Sequence, residues 1–259
     1  MLMQLIKDKL IIEIGMNHLG NQEVFKKYID EIIKNEFKYV TIQIREREYY
    51  NSEYKKLLLP HQLIHNQFDR LKNMNIKVGF AIADANFIEL TKNYKADFYK
   101  ILSWKAEDIK LINFVLKYNK PTYISLGTLS DKKIINLSKK ISSKSKNLRF
   151  IHTQLNYNKD DLNLNFINKL KTETKISISY GHHAKNSITP IILSLAFEID
   201  KIFIYIRLND KDVFPDNDHA FNIKKMKNTL NELNDSIRYL GSASKNKTDN
   251  YIEKLHKER

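Results

Sequence analysis

Directly after the apolar run Leu10-Ile11-Ile12 the chain reads Glu13-Ile14-Gly15-Met16-Asn17-His18-Leu19-Gly20. An acid, an amide and an imidazole fall within six residues at the end of a buried-strand pattern. A carboxylate at such a place can move protons, and an imidazole can do the same or hold a metal. Other apolar runs end in a similar way. They lead to Gln43 and Arg45, to Asp84, to Lys100 and Ser103, to Ser125, to His152 and Gln154, to His182 and His183, and to Tyr205 and Arg207. A lysine suits phosphate as a compact point charge, and arginine grips it with a planar fork. Three of the histidines come from two neighbouring runs, so a metal site built from them is one reading. Hydrogen-bonded loop histidines are the other.

These residues need elements to bring them together. The strand candidates are Leu10–Ile14, Tyr39–Gln43, Lys77–Ile82, Phe98–Ile101, Thr122–Leu126, Arg149–His152, Lys175–Tyr180 and Lys201–Ile206. They are short and mostly apolar, as parallel strands covered on both faces must be. Between them lie helical patterns over Gln22–Asn35, Pro60–Asn73, Asn86–Asn93, Glu107–Tyr118, Asp131–Ile141, Leu164–Lys171 and Ser187–Phe197, and an eighth over Ala220–Leu240. Strand and helix alternate eight times, which predicts an α/β chain folded as a single (β/α)8 TIM barrel. A doubly wound sheet is the competing architecture, but no glycine-rich dinucleotide fingerprint follows the first strand. In a barrel, the residues at the C-terminal strand ends meet at one mouth, where chemistry is built. The expected boundaries are a barrel over 1–244 and a polar tail over 245–259.

Composition narrows the function classes. The 259 residues include no cysteine, so disulfides and thiolate metal sites are excluded. Six glycines and four prolines argue against long linkers. No apolar run of about 18 residues occurs and no secretory leader is visible, so a cytoplasmic protein is expected, without membrane association. The formal charge of +14 would attract anions. The lysines are dispersed over helix faces and not gathered in an aromatic-lined stripe, so nucleic acid is not the expected partner.

In order along the chain, the residues resemble the sialic acid synthase family, enzymes that condense phosphoenolpyruvate with an amino sugar. Glu13 to Gly20 is similar to the EIGxNHxG opening of that family, and Tyr39-Val40-Thr41-Ile42-Gln43 to its AVKFQ strand. Asp97 to Ser103 resembles DAYKIGSGE, Lys120 to Gly127 resembles KPVILSTG, and Ile151-His152 resembles the LLHC strand. Ser179 to His183 resembles GYSDH, and Asp218-His219-Ala220-Phe221 resembles GPDHAFS. The resemblance implies a (β/α)8 barrel in which C3 of phosphoenolpyruvate attacks a sugar aldehyde polarised by a divalent metal. Water then attacks C2 and phosphate leaves. It implies Glu13 as the proton-handling catalytic residue. Asn17, Gln43, Lys100, Ser103, Ser125, Tyr157, Asp218 (or, less well matched, Asp216) and Lys245 (or Lys247) are implied as substrate contacts, and His183 as a metal ligand. A homodimer is compatible with it.

Parts of the family pattern are replaced. The lysine of the KFQ strand is Thr41, the glutamate of SGE is Lys105, and the second metal histidine is Tyr205. A neutral phenol is a poor ligand beside imidazole, so Mn or Mg is expected to bind weakly. The family's antifreeze-like domain is not expected in this chain. The expected function is that of a divergent synthase in nonulosonic acid or surface-polysaccharide biosynthesis. The alternative is a catalytically impaired barrel that binds a sugar phosphate or partners a complete synthase.

Overall fold

The computed structural model describes residues 2–86, 94–144, 146–241 and 257. Eight parallel strands lie in chain order and close on themselves: β1 (Leu10–Glu13), β2 (Tyr39–Ile44), β3 (Lys77–Ile82), β4 (Phe98–Ile101), β5 (Thr122–Ser125), β6 (Leu148–His152), β7 (Ser177–Gly181) and β8 (Ile202–Arg207). Pairing of β1 with β8, from Leu10 opposite Ile202 to Glu13 opposite Tyr205, closes the barrel. A two-residue strand, β9 (Phe221–Asn222), extends the sheet alongside Ile206 and Arg207. The helices are α1 (Leu2–Lys9), α2 (Gln22–Lys34), α3 (Arg47–Tyr50), α4 (His61–Asn73), α5 (Ile109–Leu116), α6 (Asp131–Ile141), α7 (Phe166–Thr174), α8 (Thr189–Leu195) and α9 (Met226–Arg238). Among the described residues no helix is long and apolar enough to cross a membrane.

The predicted pattern differs from this arrangement in a few places. The helix expected over Ala220–Leu240 starts only at Met226, because Phe221 and Asn222 pair with β8 and the Asn222 side chain then caps the amide of Lys224. Helix α1 was not anticipated; its Ile6 is fully buried, and the helix packs against α9. The β2–α4 connection carries α3 and a 3-10 turn over Glu53–Leu57. Most of the helical pattern over Asn86–Asn93, and all of the tail over 245–259 except residue 257, lie outside the described residues.

Successive strand residues face alternately outward and inward. Leu10, Ile12, Val40, Ile42, Val78 and Phe80 join the large core shared with the helices. Their alternates Ile11, Phe98, Tyr123, Ile151 and Phe203 form a separate cluster inside the barrel. Two residues further along the same strands come Glu13, Lys100, Ser125, Thr153 and Tyr205. Each of these five strands therefore carries an apolar side chain at one level and a polar one at the level above. The apolar layer is the floor on which the polar layer stands.

Gly79 fits this layer because it has no side chain. A Cβ there would clash with the ring of Phe98. Overpacking of this kind costs about 1–3 kcal/mol. Gly79→Ala is expected to lower unfolding free energy by that amount in urea denaturation, and Gly79→Ala with Phe98→Leu to recover most of it.

Candidate active site at the barrel mouth

Glu13 on β1 and Lys100 on β4 meet above the apolar floor. Lys100 Nζ donates to both carboxylate oxygens of Glu13, at 2.6 and 2.7 Å. The two side chains are only 6% and 2% exposed. Thr41, where the family pattern has lysine, donates its hydroxyl to Glu13 Oε1 at 3.3 Å and to the Ile12 carbonyl at 3.4 Å. The ammonium also sits 5.2 Å from the ring centroid of Phe203 and 5.6 Å from that of Tyr205, the electron-rich faces that favour a cation. Removed from water, each charge depends on the other.

A third ionisable group reaches the same space from the loop between β8 and β9. Asn17 fixes that loop. Its Nδ2 donates to the Ile206 carbonyl at 2.9 Å, and its Oδ1 accepts from the backbone N–H of Asp216 at 3.0 Å. Arg207 ties down the rest, donating from Nη1 to the carbonyls of Asn217 and Ala220. The Asp216 carboxylate comes to rest beside Gly15. A Cβ on Gly15 would meet Asp216 Oδ2 at 2.5 Å and Tyr205 Cε1 at 2.8 Å, and the backbone there has φ +58°. Only glycine combines that conformation with that clearance. Burial, and then the negative charge of Glu13, push the Asp216 carboxyl up to about 7, with Lys100 acting in the opposite direction. Asp218 lies outside this group; it is 46% exposed and pairs with Lys185 at 3.1 Å.

The polar residues enclose a cavity of ≈ 220 Å³ lined by, among others, Gln43, Arg45, Lys100, Ser103, Ser125 and Asp216. Ser103 and Ser125, from the ends of β4 and β5, share a hydrogen bond of 2.7 Å between hydroxyls. Arg45 lies at the rim. Its guanidinium carbon is 3.9 Å from the ring centroid of Tyr49 and 4.3 Å from that of Trp104.

The metal donors expected from sequence do not converge. The rings of His183 and His219 stack with centroids 4.2 Å apart and planes 16° from parallel, and Tyr205 stands edge-on to both. An imidazole lone pair lies in its ring plane, so two stacked rings cannot aim at one ion. Among the described residues no group of three or more His, Asp or Glu side chains is placed to hold a metal. Burial and then the neighbouring His219 and Lys100 move His183 well below the usual histidine range. His219 falls to about 4, chiefly by burial. Tyr205 is moved far up by burial and by Glu13, and stays a neutral phenol.

The other expected mouth residues are spread out. His152 and His182 sit one residue out of phase with the lumen. His152 shares a 2.9 Å hydrogen bond with the Leu162 carbonyl, outside the barrel, and lines a separate cavity together with Gln154. His182 stacks on Phe221 and falls to about 3 by burial. The Asn17 amide is committed to backbone, and His18 accepts from the Gly20 amide at 2.9 Å. Tyr157, 40% exposed, stacks on His219. Asp84 accepts from the Asn86 amide. Lys245 and Lys247 lie outside the described residues. Sequence reasoning ranked Asp216 below Asp218, although Pro215-Asp216 repeats the Pro-Asp of the family string just as Asp218-His219 repeats its Asp-His. Nothing in local sequence foretold that Tyr49 and Trp104 would flank Arg45.

This closed (β/α)8 barrel gathers its charged and hydroxylic side chains at the C-terminal strand ends, the face where enzymes of this fold keep their active sites. The family is narrower: the model of the NeuB family matches residues 10–246, and the chain belongs to that family. It is 24% identical over 246 residues to an uncharacterized protein of Methanocaldococcus jannaschii, covering 91% of this chain and 73% of that protein. It is 22% identical over 142 residues to pseudaminic acid synthase of Campylobacter jejuni, covering 54% of this chain and 41% of that protein. In fold it is similar to N-acetylneuraminic acid synthetase of Leptospira borgpetersenii, with a TM-score of 0.83 and 20% identity over 96% of this chain and 90% of that one.

If Lys100 serves first to balance Glu13, removing it alone leaves a buried, unpaired carboxylate. Lys100→Met is expected to cost about 3–5 kcal/mol of unfolding free energy. The double variant Glu13→Gln, Lys100→Met should recover most of that loss. Urea unfolding of the two variants and the wild type checks this, and a loss below about 1 kcal/mol in Lys100→Met would contradict it.

Proposed function

We propose that the mouth joins C3 of phosphoenolpyruvate to the aldehyde carbon of an N-acetylated amino sugar, in nonulosonic acid or surface-polysaccharide biosynthesis in the cytoplasm. The observation that carries this reading is Asp216, a carboxyl that holds a proton near neutral pH beside a cavity furnished for a small anion. As C3 forms its bond, negative charge develops on the aldehyde oxygen, and protonated Asp216 is the group that supplies its proton. Water then adds at C2, giving one proton to Glu13, and the bond from C2 to the phosphate oxygen breaks as the new hydroxyl passes its proton to the leaving phosphate, which leaves a ketone at C2. Ser103, Ser125 and Gln43 supply hydrogen bonds to the phosphoenolpyruvate, and Asn17 acts as a positioning residue for Asp216. Since the donor set does not fit a metal as arranged, no step is assigned to one.

A second reading, a barrel that binds a sugar phosphate without turning it over, is favoured by one observation. The Lys100 charge is already matched by Glu13 at 2.6 Å.

Phosphate release from phosphoenolpyruvate, assayed with N-acetylmannosamine and other N-acetylated hexosamines, separates the two. The synthase reading expects release that depends on one sugar. It also expects kcat to decline as pH rises through about 7, because the acid form of Asp216 is lost. Asp216→Asn should lower kcat by roughly 100-fold or more, the usual contribution of a positioned proton donor. Thermal stabilisation by phosphoenolpyruvate without release would favour the second reading. Unchanged turnover in Asp216→Asn would remove the role given to that residue.

A further inference from the structure

The mouth has a charge problem. A small anion entering this cavity needs a cation, yet two expected cations are out of play. Thr41 is uncharged, and Lys100 spends its ammonium on both oxygens of Glu13. The cavity wall nevertheless includes a guanidinium, that of Arg45.

Arg45 is held in an unusual degree of order for a long side chain at a rim. The rings of Tyr49, from α3, and Trp104, from the turn after β4, both pack against its guanidinium. One edge is taken by Glu46, with Nε donating to Oε2 at 3.1 Å and Nη2 to Oε1 at 3.0 Å. Among the described residues the remaining amino group, Nη1, has no partner. The side chain is 19% exposed. A guanidinium packed against two rings and clamped on one edge has lost its rotamer freedom already, so a ligand meeting its open edge bears little of that entropic cost. Glu46 does not cancel the charge of the cluster. Burial pushes the Glu46 carboxyl up, but its hydrogen bonds to Arg45 and the charges of Arg45 and Lys105 outweigh that and hold it below its usual range. Neither Glu46 nor Lys105 lines the cavity, whereas the Arg45 guanidinium does.

We infer that Arg45 is the anion anchor of the mouth, taking the phosphate or carboxylate of a small anionic substrate on its open Nη1 edge while Tyr49 and Trp104 hold the guanidinium flat. The Ser103 and Ser125 hydroxyls, in the same cavity, complete the grip from the other side. This deepens the phosphoenolpyruvate reading and rests on it for the identity of the ligand, not for the identity of the anchor. Lys100 is then a partner of Glu13 first, and the anion-binding role moves to a residue two positions beyond Gln43.

Trp104 is the sole tryptophan of the sequence and lies against Arg45, so its emission reports on this cluster. Titrations of the full chain with phosphoenolpyruvate, inorganic phosphate and pyruvate, read by Trp104 emission and independently by calorimetry, test the assignment. The wild type is expected to bind phosphoenolpyruvate saturably. Arg45→Met, which keeps the bulk between the two rings, should raise Kd at least tenfold, and Arg45→Lys should restore part of the loss, because it returns the charge without the fork. If Arg45→Met does not fold, as read by its thermal melt, Arg45→Gln takes its place. Inorganic phosphate binding without pyruvate binding assigns the phosphate to Arg45; the reverse assigns the carboxylate. Phosphate binding that depends on Arg45, with no phosphoenolpyruvate binding, would keep the anchor and overturn the proposed reaction. Phosphoenolpyruvate bound within twofold of wild type by the Met or Gln variant would overturn the anchor and leave the reaction standing. A wild type that binds none of the three would also overturn the anchor.

Discussion

Two opposite charges stand out of water in the middle of this barrel, and the upper half of the molecule is arranged around them. Glu13 and Lys100 are 87 positions apart in sequence and 2.6 Å apart in space. Neither is tolerable alone at 2% and 6% exposure. The pair fixes the relation of β1 to β4 across the lumen. It also sets the electrostatics of everything nearby. Glu13 helps to raise Asp216 and Tyr205, and Lys100 helps to keep His183 and His219 neutral. The mouth thus holds one compensated ion pair, one carboxyl near its midpoint and a set of uncharged rings.

The replacements at Thr41 and Tyr205 are coherent in this light. A lysine at position 41 would bring a second cation against Glu13, whereas threonine contributes a hydroxyl to the carboxylate already paired. Tyr205 packs its ring against the Lys100 ammonium on one side and the stacked histidines on another. Where the family pattern places a metal-binding pair, this chain has an aromatic stack. The loop carrying Asp216 and His219 reaches it through the clamps made by Asn17 and Arg207.

Much of this was legible in sequence. The strands read clearly because parallel strands covered on both faces must be apolar. Strand Lys77–Ile82 and helix Asp131–Ile141 have the bounds that their patterns predict. Strand parity also carries information that a list of strand-end residues does not. It separates His183, on the lumen side, from His152 and His182, which face the helices. What sequence could not supply was pairing over distance. Lys100 read as a substrate contact because nothing local shows how fully Glu13 will neutralise it. Asp218 outranked Asp216 because the family string matched it best, while the choice between them is made by an Asn17 hydrogen bond to backbone nearly 200 positions away. In sequence Arg45 is indistinguishable from a solvent-facing arginine; the packing of Tyr49 and Trp104 against it is what sets it apart.

The apolar floor has a consequence for traffic. Ile11, Phe98, Tyr123, Ile151 and Phe203 fill the lumen beneath the ion pair, so the barrel is a blind well with one opening. Whatever sits deepest must arrive first and depart last. If two molecules meet there, they queue, and the order of binding is imposed by architecture before any preference of affinity applies. The same doorway serves water and any released fragment, so a molecule resting on Arg45 at the rim also governs the exit of whatever lies below it.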